Sequence, residues 1–164
     1  MEVKTVLVTG ASGYIGRHVV KELLNQGYNV IASDLNYKGV DERAVFSDVV
    51  LFSGDKDIYE QFGCPDVVIH MAWRDGFIHN ADSHMHDLSK HMDFLKHMID
   101  GGVKLVSVMG SMHEVGYYEG AIKADTPCNP QSMYGIAKNA LRQALFLYGR
   151  DKEVIIDWLR AYYI

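Results

Sequence analysis

The run Val6-Leu7-Val8-Thr9-Gly10-Ala11-Ser12-Gly13-Tyr14-Ile15-Gly16 carries an apolar strand directly into a glycine-spaced turn and then into a helix. That order constrains the fold more than the glycines do. At Gly10, freedom at positive φ lets the chain turn sharply as it leaves the strand. Gly13, lacking a Cβ, lets a diphosphate approach the backbone, and Gly16 lets the helix close onto the sheet. The first N–H groups of that helix then face the phosphates. A tight strand-to-helix turn with no ligand would read the same way. Asp34, closing the next apolar strand, strengthens the ligand reading.

Along the rest of the chain, short apolar runs rich in Val and Ile alternate with helical patterns. Strands are expected near 4–9, 28–33, 44–47, 66–71, 103–109 and 154–160, with helices near 14–26, 55–62, 82–100 and 132–149. In the first helix Ile15, Val19, Leu23 and Leu24 share a face, and Gly27 is its stop. This alternation predicts an α/β protein: a doubly wound parallel sheet (Rossmann fold), with helices on both faces and ligands at the carboxyl ends of the strands. At 164 residues, one domain over 1–164 is expected.

Bulk properties narrow the partners. A formal net charge of −5 and no basic stripe argue against nucleic acid. No apolar run reaches membrane-spanning length, so no membrane partner is expected. The absence of a secretory leader pattern and the distant Cys64 and Cys128 fit a cytoplasmic protein with reduced thiols.

Four residues carry chemistry. Asp34 lies 18 residues past Gly16, where a carboxylate can accept bonds from both hydroxyls of an adenosine ribose and repel a 2′-phosphate, favouring NAD over NADP. A strand-end aspartate capping a loop would occupy the same place. Tyr134 and Lys138, four apart on a helix, share a face. A free phenol has a pKa of about 10. A neighbouring ammonium favours the phenolate and makes tyrosine a usable acid/base, although such a pair also occurs as plain surface decoration. Ser111 follows the apolar strand Val103–Met109, where a hydroxyl can bond the oxygen whose proton Tyr134 takes.

The set Thr9 to Gly16, Asp34, Asp48-Val49, Val68-Ile69-His70-Met71-Ala72, Ser111 and Tyr134-x-x-x-Lys138 resembles the extended short-chain dehydrogenase/reductases. These are NAD-dependent nucleotide-sugar epimerases (UDP-glucose 4-epimerase-like), dehydratases and related sugar dehydrogenases. The resemblance implies that Gly10, Gly13, Tyr14, Ile15 and Gly16 hold the pyrophosphate of NAD and Asp34 its adenosine ribose. It places Asp48 and Val49 at the adenine and Met71, Ala72 and Trp73 along the cofactor's central part. Ser111, Tyr134 and Lys138 match the catalytic residues, with Lys138 also on the nicotinamide ribose. The implied substrate is a sugar or nucleotide-sugar. Alternatives are a uronate or hexose dehydrogenase, which Ser111 to Tyr118 resembles and in which His113 would point at substrate, and an NAD-binding module without turnover.

Asp87 stands where the family usually has asparagine, and Gly110-Ser111 replaces its serine pair. The family's chain also continues into a C-terminal substrate lobe, most of which is expected to be lacking, since the sequence stops at Ile164. His79, His84, His86, His91 and His97 crowd one region without a metal-ligand pattern, and no metal is expected. Met85, Leu88, Met92, Leu95 and Ile99, widened by Phe94 and Met98, read as the core-facing stripe of the 82–100 helix. The resemblance further implies a homodimer across this helix and the one bearing Tyr134, with Leu141, Leu145 and Tyr148 suited to the contact.

Overall fold

The computed structural model describes residues 4–162. Strand β1 (Thr5–Thr9) is followed by α1 (Tyr14–Asn25), β2 (Asn29–Ser33), β3 (Val45–Phe46), α2 (Ile58–Gln61) and β4 (Val67–His70). Then come α3 (Ser83–Gly101), β5 (Leu105–Ser111), a 3-10 turn (Met112–Glu114), α4 (Met133–Gly149) and β6 (Ile155–Ala161). All strands are parallel, in the order β3-β2-β1-β4-β5-β6. Successive strands run outward to one edge from β1 and then to the other from β4. The crevice at this reversal lies at the ends of Thr9 and His70, which are paired in register.

Two apolar layers sandwich the sheet, because the strands are buried on both faces. Val6, Val8, Val30 and Ala32 pack with Val20 of α1 on one side. On the other, Leu7, Val68, Val106 and Val108 pack with Ile58, Phe94, Leu95, Met98, Leu141 and Leu145. Each element in this second layer follows a sequence signal. Helix α3 ends where Gly102 adopts φ 111°, and the N–H groups of Gly102 and Val103 bond the carbonyls of Ile99 and Met98. Helix α4 begins at Ser132, whose hydroxyl accepts the Gly135 N–H.

Several expectations need correction. Strand β5 starts two residues later than the apolar run, because Val103 and Lys104 are engaged in the α3 stop and in the Lys104 N–H bond to the Asp66 carbonyl. Ser111 is therefore the last residue of the strand. The 55–62 helix shrinks to one turn, anchored by Ile58 and Phe62. The expected apolar stripe of α3 holds in all but Met85: Phe94, Leu95, Met98 and Ile99 are buried and Leu88 and Met92 pack against the same core, but Met85 is exposed and His84, Asp87 and His91 are also buried. The buried polar groups have partners of their own: His84 bonds Trp73, His91 bonds His70, and Asp87 pairs with Arg74 and Lys90. Finally, Leu141 and Leu145 are fully buried under the sheet, so they are unavailable to a second subunit. The outward stripe of α4 carries Met133, Ile136 and Leu147 instead.

Candidate active site

The glycine turn is shaped by contact on two sides. Gly10 has φ 70°, and a Cβ there would lie 2.7 Å from the Ala72 nitrogen. A Cβ on Gly16 would lie 2.1 Å from the Gly10 carbonyl oxygen. Gly13 meets nothing closer than that carbonyl at 3.2 Å, so its outer side is open. As the N-cap of α1 it offers no side-chain acceptor, which leaves the N–H groups at the start of α1 without a side-chain cap. A bare, positively polarised helix start beside an open glycine fits a diphosphate. Ile15 is half-buried behind this turn, and Tyr14 is exposed with the Arg17 guanidinium 5.5 Å from its ring.

Asp34 faces the same turn. Its Oδ2 accepts the Ser12 N–H at 2.8 Å and the Ser12 hydroxyl at 2.9 Å, and its Oδ1 accepts the Leu35 N–H at 2.7 Å. The carboxylate is thus fixed at the end of β2, only part-buried, with three of its roughly four acceptor sites taken and one left for a ribose. Asp48 is exposed just beyond β3, and half-buried Val49 leans on the main core. The segment Met71-Ala72-Trp73 leaves β4 alongside Gly10. Its Met71 N–H bonds the Thr9 carbonyl, and its Ala72 N–H bonds Thr9 Oγ1 at 3.3 Å.

Trp73 sits at the centre of the second half of the site. Its indole stacks on His91 with centroids 4.3 Å apart, and its Nε1–H donates to His84 Nδ1 at 3.1 Å. Lys138 Nζ lies 3.9 Å from its ring centroid and 5.9 Å from that of Tyr134, and donates to the Met109 carbonyl at 2.7 Å. Burial of Lys138 lowers its ammonium to about 7, against an opposing pull from the Glu114 carboxylate. Tyr134 is raised above its ordinary value, chiefly by burial, with the Ser111 hydroxyl pulling down and the Glu114 charge pushing up. The expectation that Lys138 depresses the phenol is not met in the protein alone. Its ammonium is directed at Met109 and Trp73, and desolvation of the phenol dominates.

Three imidazoles ring the phenol: His84, His113 and His79 have centroids 5.2, 5.6 and 6.1 Å from that of Tyr134. Burial and the neighbouring His79 lower His113. Among the described residues no three His, Cys, Asp or Glu side chains converge as metal ligands. Asp87 is paired with Arg74 at 2.7 Å and Lys90 at 2.8 Å.

Sequence reasoning missed two groups. A buried string joins the strands to α3: Thr9 Oγ1 to His70 Nδ1 at 2.8 Å, and His70 Nε2 to His91 Nδ1 at 2.8 Å. Glu114, with no exposed surface, takes the N–H of Ser111 at 2.7 Å. The S-x-x-E spacing of Ser111 and Glu114 is a capping-box signal that could have found it. Gly110, in place of a second serine, also has a cause: a Cβ there would lie 2.2 Å from Trp158 Nε1.

Strand order, crevice and glycine turn together define a doubly wound, Rossmann-type α/β protein. The chain belongs to the NAD dependent epimerase/dehydratase family, whose model matches residues 6–162. It is 47% identical over 166 residues to the dTDP-6-deoxy-L-talose 4-dehydrogenase (NAD(+)) of Aggregatibacter actinomycetemcomitans, a match covering 97% of this chain and 61% of that protein. The fold is that of the UDP-glucose 4-epimerase of Thermotoga maritima, solved with UDP-glucose (TM-score 0.81, 24% identity, 95% of this chain and 54% of that one). It is likewise that of the Thermus thermophilus UDP-glucose 4-epimerase solved with NAD (TM-score 0.82, 24% identity, 95% and 54%). The chain therefore spans little more than half the length of these relatives. No helix among the described residues is long and apolar enough to cross a membrane.

Proposed function

We propose that the protein binds NAD at the carboxyl ends of β1, β2 and β4 and oxidises a ring hydroxyl of a nucleotide-linked sugar, as a 4-dehydrogenase does. The observation that carries this reading is the meeting of Ser111, Tyr134 and Lys138 at the end of β5, beside the crevice that the glycine turn opens. The turn Gly10 to Gly16 would hold the pyrophosphate, Asp34 the adenosine ribose, Asp48 and Val49 the adenine, and Met71, Ala72 and Trp73 the centre of the molecule. Lys138 would also hold the nicotinamide ribose. When bound, NAD supplies the hydride acceptor.

Tyr134 takes the proton of the sugar hydroxyl, and Ser111 hydrogen-bonds the same oxygen and holds it near the phenol. An ammonium on Lys138 would favour the phenolate once NAD and substrate fill the site, and the carbonyl of Met109 and the face of Trp73 favour that charge. His79 and His113, at the mouth, suit the remaining sugar hydroxyls. The dehydrogenase reading is favoured over epimerisation because the 47% identical relative is named as a dehydrogenase, whereas the epimerase structures share the fold. The outward stripe of α4, with Met133, Ile136 and Leu147, supports a homodimer.

Calorimetric titration with NAD and NADP, followed by a panel of dTDP- and UDP-sugars assayed for NADH absorbance and epimer formation, tests the reading. NAD should bind more tightly than NADP, and Asp34→Ala should weaken NAD. Tyr134→Phe should abolish turnover and spare NAD binding. Loss of both would make Tyr134 structural. NAD binding with no product from any sugar would leave a binding module.

A further inference from the structure

We propose that Glu114 is a positioning residue for this site: its buried carboxylate holds the peptide of Ser111 from beneath and ties it to β6. The inference rests on the reading that Ser111 and Tyr134 carry the proton transfer. Glu114 Oε1 accepts the Ser111 N–H at 2.7 Å, while Ser111 Oγ accepts the His113 N–H at 3.2 Å, so the serine is gripped at both its backbone and its side chain. The same carboxylate accepts Trp158 Nε1–H at 2.9 and 3.0 Å and Arg160 Nε–H at 3.2 Å, both from β6. Arg142 Nε of α4 lies 3.6 Å from Oε2.

Capping a three-residue turn needs no such assembly. A neutral side chain would cap it without burying a charge, which is costly unless fully compensated. The backbone is shaped around the carboxylate too: a Cβ on Gly110, immediately before Ser111, would lie 2.2 Å from Trp158 Nε1 and 2.7 Å from Glu114 Oε1.

The charged and titratable groups facing Glu114 are Arg160 from β6 and Arg142, Tyr134 and Lys138 from α4. Cys128 Sγ, from the intervening loop, accepts from Arg142 Nη2 at 3.5 Å and Arg160 Nη2 at 3.1 Å. The carboxylate's field reaches both reacting groups. It adds to the burial that raises Tyr134, and it opposes the burial that lowers Lys138. Glu114 thus holds the serine by hydrogen bonding and adds a smaller upward push on the phenol by charge.

The test needs no substrate. In Glu114→Gln, exchange of the Ser111 amide proton is expected to quicken by roughly 10-fold or more. The titration midpoint of Tyr134, followed by NMR with ring-labelled tyrosine and assigned with Tyr134→Phe, is expected to fall by roughly half a pH unit or more. Arg160→Gln keeps the carboxylate and removes a counter-charge, so it should move the same midpoint upward. A Ser111 amide and a Tyr134 midpoint unchanged in whichever variant folds would overturn the proposal. In turnover, Glu114→Gln should lower kcat by roughly 10-fold, leave KM for NAD unchanged and move the rising limb of the pH profile to lower pH. Should Tyr134→Phe retain turnover, the functional reading fails, while the exchange and titration still judge Glu114.

Discussion

Raising the pH from 7 to 9 should stabilise this fold, and Lys138→Met should abolish most of the gain. Burial holds the Lys138 ammonium at about 7 in the folded protein, whereas a lysine in an unfolded chain titrates at about 10.4. Between those values the unfolded chain binds the extra proton, so stability rises with pH. A fully open window is worth about 1.4 kcal/mol per pH unit, and Lys138 is half-titrated at its lower edge. The gain from pH 7 to 9 is therefore about 2 kcal/mol. The bond to Met109 and the face of Trp73 favour the charged form and make this an upper figure. Tyr134, raised above its ordinary value, stays neutral across the window and adds nothing. Urea unfolding at pH 7, 8 and 9 with thiols reduced, on wild type and Lys138→Met, gives the two slopes. Equal gains in both proteins would show that Lys138 is fully charged in the native state and would refute the reasoning.

Other outcomes follow from the packing. Leu145→Ala should cost about 2–5 kcal/mol, because the side chain is fully buried in the main core. Leu147→Ala, 63% exposed on the opposite side of α4, should cost no more than about 0.5 kcal/mol of monomer stability while weakening any dimer seen by light scattering. Gly16→Ala forces a Cβ to 2.1 Å from the Gly10 carbonyl and should lower the melting temperature markedly, by about 2–3 kcal/mol or more in stability. His91 is lowered to about 3, chiefly by burial. Because its folded value is depressed, stability is lost as pH falls from 6.5 towards 3, and His91→Phe should flatten that acid limb in thermal melts.

The strand–turn–helix unit was legible because glycine spacing and apolar runs are local signals, and the parallel order followed from strict alternation. The first half of α3 was misread for a physical reason. Periodicity places any residue on a face, but it cannot tell that neighbouring elements will bring bonding partners to buried polar side chains. Met85 therefore seemed a core residue and His84 was left out of the core, although Trp73 and Ile78 supply the bonds that allow His84 inside. The same limit applied to α4, where Leu141 and Leu145 satisfied the pattern of an interface but found the sheet first. Glu114 escaped notice because its partners Trp158 and Arg160 lie more than forty residues away in sequence, and only the β5–β6 pairing brings them together.

The string from Thr9 through His70 to His91 couples two tautomers. Ala72 N–H donates to the Thr9 hydroxyl, which has a second acceptor site and a proton of its own to share with His70 Nδ1. Because His70 Nε2 meets His91 Nδ1, the two neutral rings then carry their protons on the same atom, both on Nε2 or both on Nδ1. Two rings on different elements are tied to one tautomeric setting through a string that begins at the glycine turn. Rotating any one group would strand the other two, so the wall of the crevice moves as a single keyed piece.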